Sequence, residues 1–414
     1  MARLKKKAKK QICLLLFLVL LLFGVFIMKD IFSDNDNNGL NNKPNEIVEP
    51  YNPIKTYKAS LIATGDGLVH STVYKAAYNN ETGIYDFSNM LTYTKELLKN
   101  YDIKYYNQET IFDDTEDYGG YPRFNTPSGF GKSMIEAGFN VVSLATNHSM
   151  DRGADSAKRS TEWWKKQKNI LTNGMATSEE ERTNYQIMEA NGITYTMLSY
   201  TYGTNGLGAS DLKNEPYLVN LFDEELVKKD IEAVRDKVDV LIVAMHWGSE
   251  YNQNASTTQR EQAKFLADLG VDIILGTHSH CIQPWEMIDD TVVFYSFGNF
   301  ISNQMGAEQA LVRKVGVVGM FATLDITKVV DTEKNTTTIT IDNIGADLNY
   351  SYRFYNNNIK KNDYLVIPFS MMEEKYLSNY ESVYEEFSNV LKKYDDSINI
   401  APLPGKNANK NLPA

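Results

Sequence analysis

From Tyr57 onward the chain alternates short apolar runs with amphipathic stretches of helical length. The runs ASLIAT, DIKYY, NVVSLAT, ITYTMLSY, VDVLIVAM, VDIILG and TVVFYSF are rich in β-branched and aromatic residues and bounded by Gly, Asn or Asp, which predicts buried strands. Between them, DSAKRSTEWWKKQ from Asp155, DEELVKKDIEAVRD from Asp223 and STTQREQAKFLADLG from Ser256 predict helices, each opened by an Asp or Ser suited to an N-cap. Such alternation predicts an α/β fold in which a sheet is covered by helices on both faces. That architecture gathers ligand sites at the carboxyl ends of its strands. After Leu311 the pattern turns to β alone: GVVGMFATLDITKVV and NTTTITIDNIGADL predict two long strands around the turn DTEKN.

The N-terminus has a different texture. MARLKKKAKK carries six basic residues and is followed by an unbroken apolar run of 17 residues, Ile12–Met28. This predicts one transmembrane helix with its basic flank in the cytoplasm and the bulk of the chain outside the cell. A cleaved signal peptide opens in the same way, but no small-x-small cleavage site follows Met28, which favours an uncleaved signal anchor. The predicted organisation is a basic tail (1–10), a membrane anchor (11–30), an Asn-rich stalk (31–56), a main domain (57–310), its β-rich completion (311–372), a C-terminal helix (373–396) and a loose tail (397–414).

Charge narrows the partners. Beyond the basic tail the chain carries about −17, which argues against nucleic acid and would repel a polyanion everywhere except at a locally positive site. The two cysteines, Cys13 and Cys281, offer no disulfide framework, so stability rests on the core.

The five histidines concentrate the candidate chemistry. His70, His148, His246, His278 and His280 all fall just after predicted strands, together with Asp66, Asn107, Glu109 and Asn147. A lone His beside an apolar run usually fills a core; all of them at strand ends is the imidazole, carboxylate and Asn-carbonyl set that suits Zn, Mn or Fe. In the H-x-H pair His278 and His280, extended backbone would point both rings the same way, whereas a turn would splay them toward two ions. Two divalent ions would clamp an anionic substrate and activate water. Plainer roles stand beside these: Asp66 as a helix cap, Asp151 as a turn residue, and Trp247 and Trp285 as core. Arg123 and Arg152 are the nearest basic candidates for binding an anionic substrate.

In order, TGDGLVH, NQET, ATNHSMDRG, HWGSEY, GTHSHCIQP and FYSFGNFI resemble the CapA family of poly-γ-glutamate capsule biosynthesis proteins, relatives of the calcineurin-like metallophosphoesterases. The resemblance covers roughly residues 57–305. It implies a metallophosphoesterase-like layered sandwich of β-sheets flanked by helices, with a C-terminal β-rich extension. It also implies that Asp66 and His280 hold one metal and Asn147, His246 and His278 the other, with Glu109 bridging. His148 matches the position that protonates a leaving group, Asp151 would orient it, and Asn299 of SFGNF would line the site. Leu68 stands where phosphoesterases carry a His; His70 would take its place if residues 66–70 are helical. Thr277 likewise stands where many relatives carry a second His.

The function so implied is synthesis or export of an anionic capsule polymer by a membrane-anchored extracellular protein whose dinuclear metal site binds or hydrolyses polymer or phosphoester, as a metal-dependent hydrolase if it is an enzyme. Two alternatives are a non-catalytic, metal-dependent accessory subunit of a membrane-bound polymer synthase and a phosphatase unrelated to capsule.

Overall fold

The computed structural model describes residues 52–405. The predicted basic tail, membrane anchor and most of the stalk lie outside these residues. Among the described residues, no helix is long and apolar enough to cross a membrane.

The strands in chain order are β1 (Ile54–Gly67), β2 (Ile103–Asn107), β3 (Val141–Ser143), β4 (Leu171–Asn173), β5 (Met188–Ala190), β6 (Ile193–Thr201), β7 (Val240–His246), β8 (Ile273–Thr277), β9 (Trp285–Ile288), β10 (Thr291–Phe294), β11 (Asn299–Ile301), β12 (Val318–Asp331), β13 (Thr336–Asn356), β14 (Lys361–Pro368) and β15 (Asn399–Ile400). They form two sheets. One has the order β14-β13-β12-β1-β2-β3-β4, with β11 added beside β1 and β15 beside β13; the other has the order β5-β6-β7-β8-β10-β9.

Each sheet turns one face to the other sheet and one to helices. Successive strand residues point to opposite sides, so Leu61 and Ala63 of β1 join Ile242 and Ala244 of β7 in the core between the sheets. Ile62, Tyr106 and Val142 face the other way, against helices Ser71–Ala77, Gly129–Ala137 and Gly153–Lys165. Leu241, Val243 and Met245 pack against helices Glu224–Val234 and Thr257–Asp268. The expectation of helices on both faces of one sheet is therefore corrected. A strand buried on both faces reads the same whether a helix or a second sheet covers it.

The predicted caps form at two of the three helices. The Asp223 side chain accepts from the Leu226 N–H, and Ser256 closes a capping box with Gln259. The third helix starts at Gly153, ahead of Asp155.

Three further boundaries differ. β1 begins inside the predicted stalk, where its exposed residues pair with β12, as in Ile54 with Asp331; an exposed ribbon leaves no apolar signature. The C-terminal helix spans only Tyr380–Leu391. Ahead of it, the Tyr376 hydroxyl meets that of Tyr93 at 2.7 Å and its ring packs edge-on against Tyr352, so tertiary contact holds the segment in turns. Finally, residues 397–403 are not loose: β15 pairs with β13, and Ile398 and Leu403 are buried.

β1 to β4 run parallel, as do β6, β7, β8 and β10. Their carboxyl ends carry the candidate residues.

Candidate metal centre

Asp66 is placed by a break in β1. Its pairing with β2 shifts register between Ala63 and Asp66. Gly65 sits at this break, where a Cβ would lie 1.8 Å from the Gly298 carbonyl oxygen, so only glycine fits. The Asp66 N–H donates to that same carbonyl at 3.1 Å. Asp66 thereby lies in register between Asn107 and Asn299. Asn107 Nδ2 donates to Asp66 Oδ1 at 2.8 Å, and His280 Nδ1 donates to Oδ2 at 3.1 Å. The helix after β1 starts at Ser71 with His70 at its N-cap position, so Asp66 is not a helix cap.

Glu109, just past β2, is fully buried, and neither carboxylate oxygen has a hydrogen-bond partner. Oε1 lies 3.7 Å from His246 Nε2 and 3.6 Å from His280 Nε2. Glu109 belongs to two groups whose ligand-type atoms lie within 4.8 Å of one another: Glu109, His246 and His278, and Asp66, Glu109 and His280. His278 Nδ1 is also buried without a partner. Unpaired buried acceptors are costly unless something compensates them. Carboxylate oxygens and imidazole nitrogens that face one another are the donor set for a divalent cation, so the residues present fit such ions.

The two histidines after β8 are sent apart by their backbone. His278 has φ 87° and His280 φ 55°, left-handed values that non-glycine residues seldom adopt. Their ring centroids stand 6.0 Å apart.

Asn147 Oδ1 faces His246 Nε2 at 2.9 Å. Thr277 Oγ1 lies 3.0 Å from His246 Nδ1 and 3.4 Å from the Met245 carbonyl. With Nδ1 held by the Thr277 hydroxyl, the ring is oriented so that Nε2 faces Asn147 and Glu109. Next along the chain, His148 Nδ1–H donates to Asp151 Oδ2 at 2.8 Å, and the Phe124 N–H donates to the same oxygen at 2.6 Å. Asp151 is fully buried, so it acts as more than a turn residue.

Residues 60–304 match the family model described as bacterial capsule synthesis protein PGA_cap. The chain belongs to this family. Among curated relatives, PGA biosynthesis protein CapA of Bacillus subtilis (strain 168) is 34% identical over 175 residues, 42% of this chain and 45% of that one. Capsule biosynthesis protein CapA of Bacillus anthracis is 27% identical over 265 residues, 63% of each chain. The matches thus span about half to under two thirds of the length of these relatives. Among solved structures, a novel phosphatase from Mycoplasma pneumoniae has 15% identity and TM-score 0.40, covering 80% of this chain and 100% of that one. The calcineurin-like phosphoesterase YfkN from Bacillus subtilis has 13% identity and TM-score 0.37, covering 80% and 98%.

The remaining candidates in this PGA_cap family chain lie around the two groups. His70 is in neither. Residues 68–70 are not helical, and His70 Nδ1 lies 3.1 Å from both the Leu68 carbonyl and the Asn303 N–H. Arg123 Nε donates to the Asp151 carbonyl at 2.7 Å, and Arg152 Nη2 donates to the Arg123 carbonyl at 3.1 Å, so both brace the loop that holds Asp151. Asn299 is fully buried; its Nδ2 donates to the Gly316 carbonyl at 2.7 Å, which turns Oδ1 toward His280 Nδ1 at 3.1 Å. Trp247 and Trp285 are buried, their indole N–H groups donating to the Tyr295 and Asp395 carbonyls, and both are core. Cys281 is buried, and burial pushes its thiol up to about 12.

Burial sets the protonation of the centre. It pushes His278 down to about 3 and His246 well below the usual imidazole range, so both are neutral, as ligands must be. Glu109 is driven well up by burial, with Asp66 and the exposed Glu250 adding repulsion. For His280 burial works downward, but the carboxylates of Glu109 and Asp66 outweigh it and raise the imidazole to about 10. Residue chemistry alone did not single out Thr277 as an orienting partner; its value depends on β7 and β8 being neighbours.

Proposed function

We propose that this chain acts on an anionic capsule polymer of the poly-γ-glutamate kind, or on a phosphoester related to it, as a metal-dependent hydrolase. Asp66, Glu109 and His280 would hold one divalent ion, and Glu109, Asn147, His246 and His278 a second; Mn, Zn and Fe suit the donors. The observation that carries this reading is the Glu109 carboxylate, buried with both oxygens unpaired between two sets of ligand-type atoms. Bound divalent ions supply positive charge and Lewis acidity toward an anionic group. The chain's own part is proton handling. Asp151 fixes His148 with its proton on Nδ1 and stabilises the imidazolium, so that Nε2 delivers a proton to a leaving group.

The basic N-terminus and the run Ile12–Met28 support a membrane-anchored chain with its bulk outside the cell, beside membrane-bound synthase subunits. Elemental analysis of the purified protein after Mn or Zn reconstitution, with a hydrolysis screen, tests the proposal. Stoichiometric metal that is lost in Glu109→Gln supports it. A protein that takes up no metal sinks it. Metal-dependent polymer output that is insensitive to His148→Ala would favour the accessory-subunit alternative.

A further inference from the structure

The HWGSEY motif contributes His246 to the centre and Trp247 to the core, but its last residue has no role in either. Tyr251 sits in the loop between β7 and helix Thr257–Asp268 with φ 60°, a left-handed conformation that a bulky residue seldom adopts. The loop is tied down around it. The Tyr251 N–H donates at 2.7 Å to the carbonyl of Ser279, the residue between the paired histidines. Gln283 Nε2 holds the next turn through the carbonyls of Asn252 at 2.7 Å and Asn254 at 3.1 Å. The strained backbone brings the Tyr251 ring to 5.9 Å from the ring of His280.

The hydroxyl has a definite polarity. Gln304 Nε2 donates to it at 3.1 Å, and among the described residues no acceptor takes its own proton. Tyr202 makes the contrast: its ring lies 4.7 Å from that of His278, but its hydroxyl donates to Asn205 Oδ1 at 3.2 Å. Two tyrosines therefore flank the two histidines, one with its proton committed and one with its proton free. A phenol held protonated beside a cationic centre is a donor for an oxygen of a bound anion.

We propose that Tyr251 is a substrate-binding residue, its hydroxyl proton donated to an oxygen of the anionic group held at the Asp66, Glu109 and His280 side of the centre. Gln304 is its positioning residue, because an amide N–H aimed at the phenol oxygen turns the phenol proton outward. The inference rests on the two-ion reading above.

The test is calorimetric titration of inorganic phosphate into the full chain loaded with Mn, with metal content measured for every variant. Tyr251→Phe keeps the ring and removes the donor, and is expected to weaken phosphate binding about tenfold with metal content unchanged. Gln304→Glu replaces the donor with an acceptor that captures the phenol proton, so it is expected to weaken binding by a similar factor. Tyr251→Phe binding as tightly as the parent would overturn the assignment and leave the two-ion reading standing. Loss of metal in Tyr251→Phe would overturn it too, by showing that the residue serves assembly of the centre. A loaded parent that binds no phosphate rejects Tyr251 as an anion donor, whereas a parent that takes up no metal rejects the two-ion reading itself.

Discussion

His278 and His280 stand two positions apart with φ angles of 87° and 55°, and each joins a different set of partners around Glu109. His278 groups with His246, and His280 with Asp66. An extended Thr277–Cys281 segment would have aimed both rings to one side, so the left-handed backbone is what lets one short turn serve both groups. Strain of this kind persists where surrounding structure over-determines it.

That strain predicts a stability–function trade. His278→Gly relieves a left-handed non-glycine residue and removes a buried nitrogen with no partner. Metal-free protein carrying it is expected to be as stable as the parent or more so, by up to roughly 1 kcal/mol. Metal per chain is expected to fall. Denaturant titration with and without chelator, beside elemental analysis, checks both signs; a destabilised metal-free variant would show that the turn is not strained.

The His148–Asp151 pair predicts a separation of chemistry from metal binding. Neither residue is in the two ligand groups, so His148→Gln should retain metal while turnover falls by about 10²- to 10⁴-fold. Asp151→Asn leaves an acceptor oxygen but removes the charge that stabilises imidazolium, and should reduce turnover with a changed pH profile. Equal metal content with undiminished turnover in both variants would rule out His148 as the proton donor.

Gly65 predicts a folding defect. A methyl group there would meet the Gly298 carbonyl at 1.8 Å, and the backbone cannot yield without moving both Asp66 and the strand carrying Asn299. Gly65→Ala is expected to cost more than about 3 kcal/mol. Thermal melting by circular dichroism is the check, and a melting curve equal to the parent's would contradict this packing.

Asp347 predicts a pH dependence away from the centre. Burial raises its carboxyl to about 7, against the opposing pull of the Ser370 hydroxyl and N–H. A carboxyl raised on folding binds more protons folded than unfolded, so its contribution is full below the unfolded value near 3.8 and is lost as the pH rises through about 7. In Asp347→Asn the amide oxygen can still accept the Ser370 N–H and the amide N–H can donate to the hydroxyl. Between about pH 4 and pH 8 the parent is expected to lose on the order of 4 kcal/mol relative to the variant. Parallel urea midpoints across that range would refute the assignment.

Much of this was legible in the chain itself. The strands β6, β7 and β8 announced themselves because a strand buried on both faces is a continuous apolar run, and the caps at Asp223 and Ser256 are local chemistry. The strand-end positions of Asp66, Glu109, Asn147, His246, His278 and His280 were readable for the same reason: a polar residue that ends an apolar run needs no knowledge of its neighbours.

The tertiary structure decided what those residues meet. Whether helices or a second sheet cover a strand depends on contacts between distant segments, and so does the pairing of Ile398–Leu403 with the core. His70, on a segment that is not helical, belongs to neither group, and its Nδ1 lies 3.1 Å from both the Leu68 carbonyl and the Asn303 N–H. Thr277 and Asn299 orient His246 and His280 because β7, β8, β1 and β11 meet at one end. Hydrophobic periodicity records burial along the chain; it holds no record of which buried polar atoms lie within hydrogen-bonding distance once the sheets have closed.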